Sequence, residues 1–168
     1  MPTYRIDTAN SRVAVRAKSA IHDTDAVWDR LSGTVDADPA ALDRDARAEL
    51  TLDMAQFDAG DFLKNRKLRK DMEVDRYPHA RFSLTGLRDV RTASDGQVEA
   101  LAEGVLRWRD RQVAVRATGR GHVDAAGLDA TAAFDLDVRE LGMRAPRFLM
   151  FKVDDVVEVT VTLRAVAE

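Results

Sequence analysis

Leu128-Asp129-Ala130-Thr131-Ala132-Ala133-Phe134-Asp135-Leu136-Asp137-Val138 alternates apolar and polar side chains along most of its length. A period of two is the mark of a β-strand with one buried and one wet face, so this stretch predicts a strand of an antiparallel sheet. The same rhythm recurs on both sides of it. Arg12 to Lys18 places Val13, Val15 and Ala17 on one face, and Leu31, Gly33, Val35 and Ala37 repeat the pattern. Ala46 to Met54 and Arg81 to Thr85 alternate as well, and Val157 to Arg164 closes the chain in the same way. Val98 to Trp108 and Gln112 to Ala117 flank a polar Arg109-Asp110-Arg111 tip and read as a hairpin. With the segment around Tyr4, about eight strands are expected.

Asp61 to Met72 breaks the rhythm. A capping aspartate precedes strong helix formers, with Leu68 and Met72 four apart, and the segment is expected to be a helix. Eight antiparallel strands can close into a barrel or stack as a sandwich, and alternation separates the two poorly. The expected inward faces are rich in small residues: Ala17, Gly33, Ala37, Ala46, Ala48, Gly86, Ala100, Ala102, Gly104, Ala117, Gly119, Ala130 and Ala132. A sandwich core about 10 Å thick must be filled by large side chains, and only 6% of this chain is aromatic. A barrel tolerates small inward residues where a ligand occupies it. Two readings follow: an apolar cavity, or a chain merely rich in alanine whose Leu, Phe and Met fill the interior.

Composition bounds the function. A chain of 168 residues can build one sufficient core, so one domain over 1–168 is expected. The formal charge of −3 comes from both signs mixed along the sequence, which leaves no basic footprint for nucleic acid. With no cysteine there is no disulfide, thiol nucleophile or cysteine-bearing metal site. His22, His79 and His122 lie in separate segments at no metal-ligand spacing, so neither a metal nor a cofactor is expected. No G-x-S-x-G elbow, P-loop or dinucleotide fingerprint occurs. The first residues, Met-Pro-Thr-Tyr-Arg-Ile-Asp, lack the build of a secretory signal, and a cytoplasmic location is expected.

The segment Asn65-Arg66-Lys67-Leu68-Arg69-Lys70-Asp71-Met72-Glu73-Val74-Asp75-Arg76-Tyr77-Pro78-His79-Ala80-Arg81-Phe82 resembles the YceI-like family of lipid-binding proteins. That family joins a short basic helix bearing a leucine to an acidic turn, a Tyr-Pro step and a strand entered through phenylalanine. Tyr4 to Asp7 with Ser11 and Val13, Leu31 to Val35, and Asp154 to Val159 fit the same family. The resemblance implies an all-β, extended eight-stranded antiparallel lipocalin-like barrel with one short inserted helix, holding a long isoprenoid or fatty chain. Two departures stand out: Asn10-Ser11 replaces the usual His-Ser, and Gly104 to Asp110 lacks the threonine and second glycine of Gly-x-Leu-Thr-x-x-Gly.

A non-enzymatic carrier of a polyisoprenoid, a quinone tail or a fatty-acid derivative is therefore the expected function. Phe57, Phe62, Leu68, Met72, Phe82, Leu84, Leu106, Trp108, Phe134, Phe148, Met150 and Phe151 are the expected ligand-contacting residues. Lys64, Arg66, Lys67, Arg69 and Lys70 form a basic cluster that either touches an anionic membrane or is a solvated helix face. The patch from Phe148 to Phe151 also suits ordinary core packing or a homodimer contact. Two other functions stay open: a small enzyme using a buried carboxylate or histidine on an apolar substrate, and a β-module docking a protein through that patch.

Overall fold

The computed structural model describes residues 1–145 and 152–168 in full, and the backbone alone of 147, 148 and 151. The strands, in chain order, are β1 (Thr3–Ile6), β2 (Arg12–Ala17), β3 (Thr24–Trp28), β4 (Leu31–Asp36), β5 (Arg47–Asp53) and β6 (Phe57–Asp58). The helix α1 (Phe62–Met72) follows, then β7 (His79–Thr92), β8 (Val98–Trp108), β9 (Arg111–Val123) and β10 (Gly127–Asp137). A two-stranded ribbon, β11 (Arg147–Phe148) with β12 (Phe151–Lys152), precedes the last strand, β13 (Val156–Ala167).

Every ladder is antiparallel, and β1-β4-β5-β7-β8-β9-β10-β13 returns to β1, closing an eight-stranded barrel. Closure leaves these strands no free edge along their paired lengths. Three of the barrel staves are bent. β1 and β2 both pair with β13, at Tyr4↔Ala167 and Val13↔Val161, on either side of a 3-10 turn at Thr8–Asn10. The Ser11 hydroxyl bridges that kink, donating to the Arg164 carbonyl at 3.2 Å and accepting from its N–H at 3.0 Å. In the same way β3 continues into β4 and β5 into β6.

The barrel splays toward one end. The β9–β10 ladder stops at Thr118↔Ala133, beyond which Phe134 to Asp137 pair with β13 only. A 3-10 turn at Val138–Leu141 follows directly from β10, and Leu141 is buried. On the far side β6 pairs with β3, and no ladder among the described residues joins it to β7. The helix lies at this end. Asp61 caps it by accepting from the Lys64 N–H, and Glu73 ends it in the left-handed conformation (φ 54°). Leu68 and Met72 are its buried residues, as their spacing predicts.

One sequence expectation about a strand face is corrected. Gly86 is not inward: a bulge between Leu84 and Gly86 shifts the register, so that Gly86 opposes the outward Glu103 and Leu87 opposes Ala102. The same bulge and a second one between Arg88 and Arg91 explain why β7 runs to Thr92 while alternation is legible only over Arg81 to Thr85.

Candidate functional site

Inward side chains of β2, β3, β4, β5, β7, β8, β9, β10 and β13, with Leu68 and Met72 of α1, surround a chamber of about 390 Å³. That volume falls in the usual range of small-molecule sites, about 300–1,000 Å³. The chamber runs along β10 from Leu128 to Leu136, a strand length of about 26 Å at about 3.3 Å per residue, and on to Val138 of the following 3-10 turn. Strand tilt shortens this along the barrel axis, but the space stays elongated.

Small residues make the room. Ala17, Ala37, Ala48, Ala100, Ala102, Ala117, Gly119, Ala130 and Ala132 all lie on the wall. Gly33 and Gly104 serve another purpose, close approach. A β-carbon on Gly33, at φ 136°, would lie 2.0 Å from the Glu49 carbonyl oxygen. One on Gly104 would meet the Phe82 ring, so Phe82 occupies the space that Gly104 leaves. Ala46 is buried beside the chamber rather than on its wall.

The splayed end is closed by a clamp centred on Arg109. Arg109 and Asp110 form the two-residue β8–β9 turn with positive φ at both positions (56° and 58°), the backbone that favours Asn, Asp and Gly. From there the Arg109 guanidinium donates to the carbonyls of Met72 (2.9 Å), Leu141 (3.1 Å) and Gly142 (3.4 Å), and pairs with Glu73 at 3.1 Å. It also stacks over Tyr77 and Trp108, 5.1 and 5.7 Å from their rings. The Trp108 indole N–H donates to the Tyr77 carbonyl at 3.0 Å. One side chain thus ties α1, the 3-10 turn and the hairpin together. The sequence predicts only a polar turn tip at Arg109, because nothing in local alternation shows a side chain folding back across the barrel end.

Of the residues expected to meet a ligand, Leu68, Met72, Phe82, Leu84, Leu106, Trp108 and Phe134 line the chamber. Phe57 does not. It stacks on Trp28 (centroids 5.4 Å apart) with Arg69 over its ring at 5.3 Å, sealing the barrel wall beneath α1. Phe62 does not line it either: the first residue of α1 is 74% exposed, and the neighbouring Leu63 is 73% exposed. Their helical positions carry them away from the stripe formed by Leu68 and Met72. The side chains of Phe148 and Phe151, and Met150 altogether, lie outside the described residues. Sequence reading missed Trp28, Met54 and Met143, which also line the chamber.

Polar groups on the wall are few. Arg81, Arg120, His122, Asp129 and Thr131 border the chamber from the exposed, outward faces of their strands, and Asp154 from an exposed loop. Thr24 is different: it is 4% exposed, and its hydroxyl has no hydrogen-bond partner among the described residues. Ser11, the other buried polar residue among those described, is bonded through its hydroxyl as donor and acceptor. The Tyr4 phenol donates to the Asp124 carbonyl at 2.7 Å, and burial together with Asp124 and Asp38 raises its pKa. It stays a neutral donor that pins the β9–β10 turn. Near α1, the Gly60 N–H and the Asn65 amide hold the Asp58 carboxyl below its ordinary range. Among the described residues no group of three or more His, Asp or Glu side chains is placed to hold a metal ion.

A closed antiparallel barrel of eight strands around one apolar chamber, with a helix across one end, defines a small lipocalin-like protein. The chain belongs to the YceI-like domain family, whose profile matches residues 4–165. Solved structures share the fold. A polyisoprenoid-binding domain from Saccharophagus degradans, implicated in plant cell wall breakdown, is similar at a TM-score of 0.76 and 13% identity over 98% of each chain. Burkholderia cenocepacia BcnA is similar at 0.75 and 21% identity, over 95% of this chain and 98% of its own. A Campylobacter jejuni YceI protein gives 0.65 and 12%, over 85% and 84%. No curated protein matches the sequence.

Proposed function

We propose that this protein binds one long apolar molecule inside the barrel and carries or sequesters it without chemical change. The observation that carries this reading is the elongated chamber of about 390 Å³, walled by aliphatic and aromatic side chains at positions where alanine and glycine keep it open. Burying a long hydrocarbon there is favourable by about 25 cal/mol per Å² of apolar surface removed from water. The polyisoprenoid named for the Saccharophagus degradans domain fits that chemistry. So do a quinone tail and a fatty-acid derivative.

The alternatives draw less support. A general acid or base would need a titratable group facing the substrate from the buried wall, and among the described residues the acidic, basic and histidine side chains bordering the chamber are exposed. A protein-docking module needs no hollow interior at all.

Both tryptophans of the chain, Trp28 and Trp108, line the chamber and report on it directly. Titration with a long-chain prenylated quinone is expected to quench their emission saturably at one equivalent, while the quinone without its tail leaves it unchanged. Non-saturating quenching that the tailless quinone reproduces would overturn the reading.

Loading is proposed to occur at an anionic membrane through α1. Phe62, Arg66 and Lys70 follow at intervals of four on one helix face, with Leu63 and Lys67 beside them. Exposed apolar residues beside cations suit insertion among anionic headgroups. Arg69 belongs elsewhere, donating to the Ala55 carbonyl at 3.2 Å, and Lys67 pairs with Asp71 at 3.2 Å.

A further inference from the structure

The chamber wall carries one polar side chain out of place. Thr24 begins β3 opposite Ala17, and its parity with Ala26 and Trp28 turns it inward. Its hydroxyl is shut away from solvent and bonds to nothing among the described residues. Buried polar atoms are as a rule paired, because an unmet hydroxyl costs free energy. A valine would fill the same volume at no such cost.

The position of Thr24 gives the site a polarity. Ala17 and Thr24 close the β2–β3 hairpin, and the Asp154 N–H donates to the Lys18 carbonyl at 2.7 Å beside it. Arg16 opposes Glu158 on β13, and Val157 in turn opposes Leu136 of β10. Thr24 therefore sits at the splayed end, and the chamber runs from there past Phe134 and Ala132 toward Gly121 and Leu128. We infer that Thr24 is the head-group anchor of this chamber, hydrogen-bonding one uncharged oxygen, a carbonyl or a hydroxyl, at the end of a long apolar chain.

The charge around it decides against an anion. The two hairpin cations nearest Thr24 are engaged: Arg16 with Asp25 at 2.8 Å and Lys18 with Glu158 at 3.2 Å. Asp23 and Asp154 add negative charge near the same end, and no buried cation faces Thr24 among the described residues. A diphosphate or carboxylate drawn in beside this hydroxyl would lose its hydration and meet like charge. A ketone oxygen accepts from the hydroxyl, and an alcohol can donate to it or accept from it. The inference rests on the carrier reading and narrows it to neutral heads.

The test titrates the protein and its Thr24→Val and Thr24→Ser variants with four chains of matched length: a prenylated quinone, a polyprenol, a polyprenyl diphosphate and a plain polyene hydrocarbon. Wild type is expected to bind the quinone and the polyprenol about 3- to 10-fold tighter than the hydrocarbon, the worth of one neutral hydrogen bond. Thr24→Val should erase that margin and leave hydrocarbon affinity unchanged, while Thr24→Ser restores it. The diphosphate should bind more weakly than the polyprenol. Equal affinities of wild type and Thr24→Val for the quinone and the polyprenol, with the hydrocarbon still bound, would overturn the anchor alone. No binding of any chain would overturn the carrier reading with it. Ligand-free Thr24→Val is also expected to melt at a higher temperature than wild type, since it removes an unpaired buried hydroxyl. A lower melting temperature would show that the hydroxyl is already satisfied and would overturn the anchor independently.

Discussion

Gly104 and Phe82 show how single residues shape the chamber. They lie on neighbouring strands, and the ring fills the place of the missing side chain. A β-carbon at Gly104 would come within 2.4 Å of both the Phe82 ring and the Ser83 carbonyl oxygen, and the second contact cannot be relieved by rotating a side chain. Gly104→Ala is therefore expected to lower stability by about 1–3 kcal/mol, read as a lower urea midpoint. An unchanged midpoint would contradict the packing described. The sequence marks Gly104 as small and inward, which is right in parity, but it cannot tell a residue that leaves empty space from one that admits a neighbour's ring. Thr24 was illegible for the opposite reason. Alternation assigns polar residues outward, and β3 carries an inward Thr24 and an outward Val27, so this strand escapes a pattern search.

At the scale of elements, α1 is the part that the sequence places best and orients least. The capping Asp61 and the Leu68–Met72 spacing fix its extent and its buried stripe. The first turn has no such constraint, and Phe62, expected to contact a ligand, faces solvent together with Leu63. If that face meets membranes, Arg66→Glu with Lys70→Glu should weaken sedimentation with vesicles rich in phosphatidylglycerol at least tenfold, given about 1 kcal/mol per cation near such a surface. Phe62→Ala should weaken it further, and vesicles of phosphatidylcholine should bind poorly throughout. Equal binding of wild type and the charge-reversed protein to anionic vesicles would remove membrane loading. The strands tell a similar story of partial legibility. β10 and β13 keep an unbroken register and are plain in the sequence, whereas the bulges of β7 scramble the faces beyond Leu84.

For the molecule as a whole, eight strands and one helix were readable because period-two patterning survives wherever one face is wet. Closure of the sheet was not, since it depends on β13 meeting β1 and β2 on either side of a kink held by Ser11, a contact between the two ends of the chain. Nor was the hollow interior, because abundant alanine looks the same in a filled barrel and an open one. The three-dimensional arrangement separates them: alanines from seven strands, β2, β3, β5, β7, β8, β9 and β10, converge on one continuous chamber. Native mass spectrometry of the protein as purified, followed by solvent extraction and lipid analysis, tests that chamber's purpose most directly. A carrier is expected to fly with one bound molecule of several hundred daltons that extraction recovers as a long apolar chain with an uncharged head. A protein that arrives empty, and stays at its bare mass of 18.6 kDa after incubation with prenylated quinones, polyprenols and fatty acids, would contradict it.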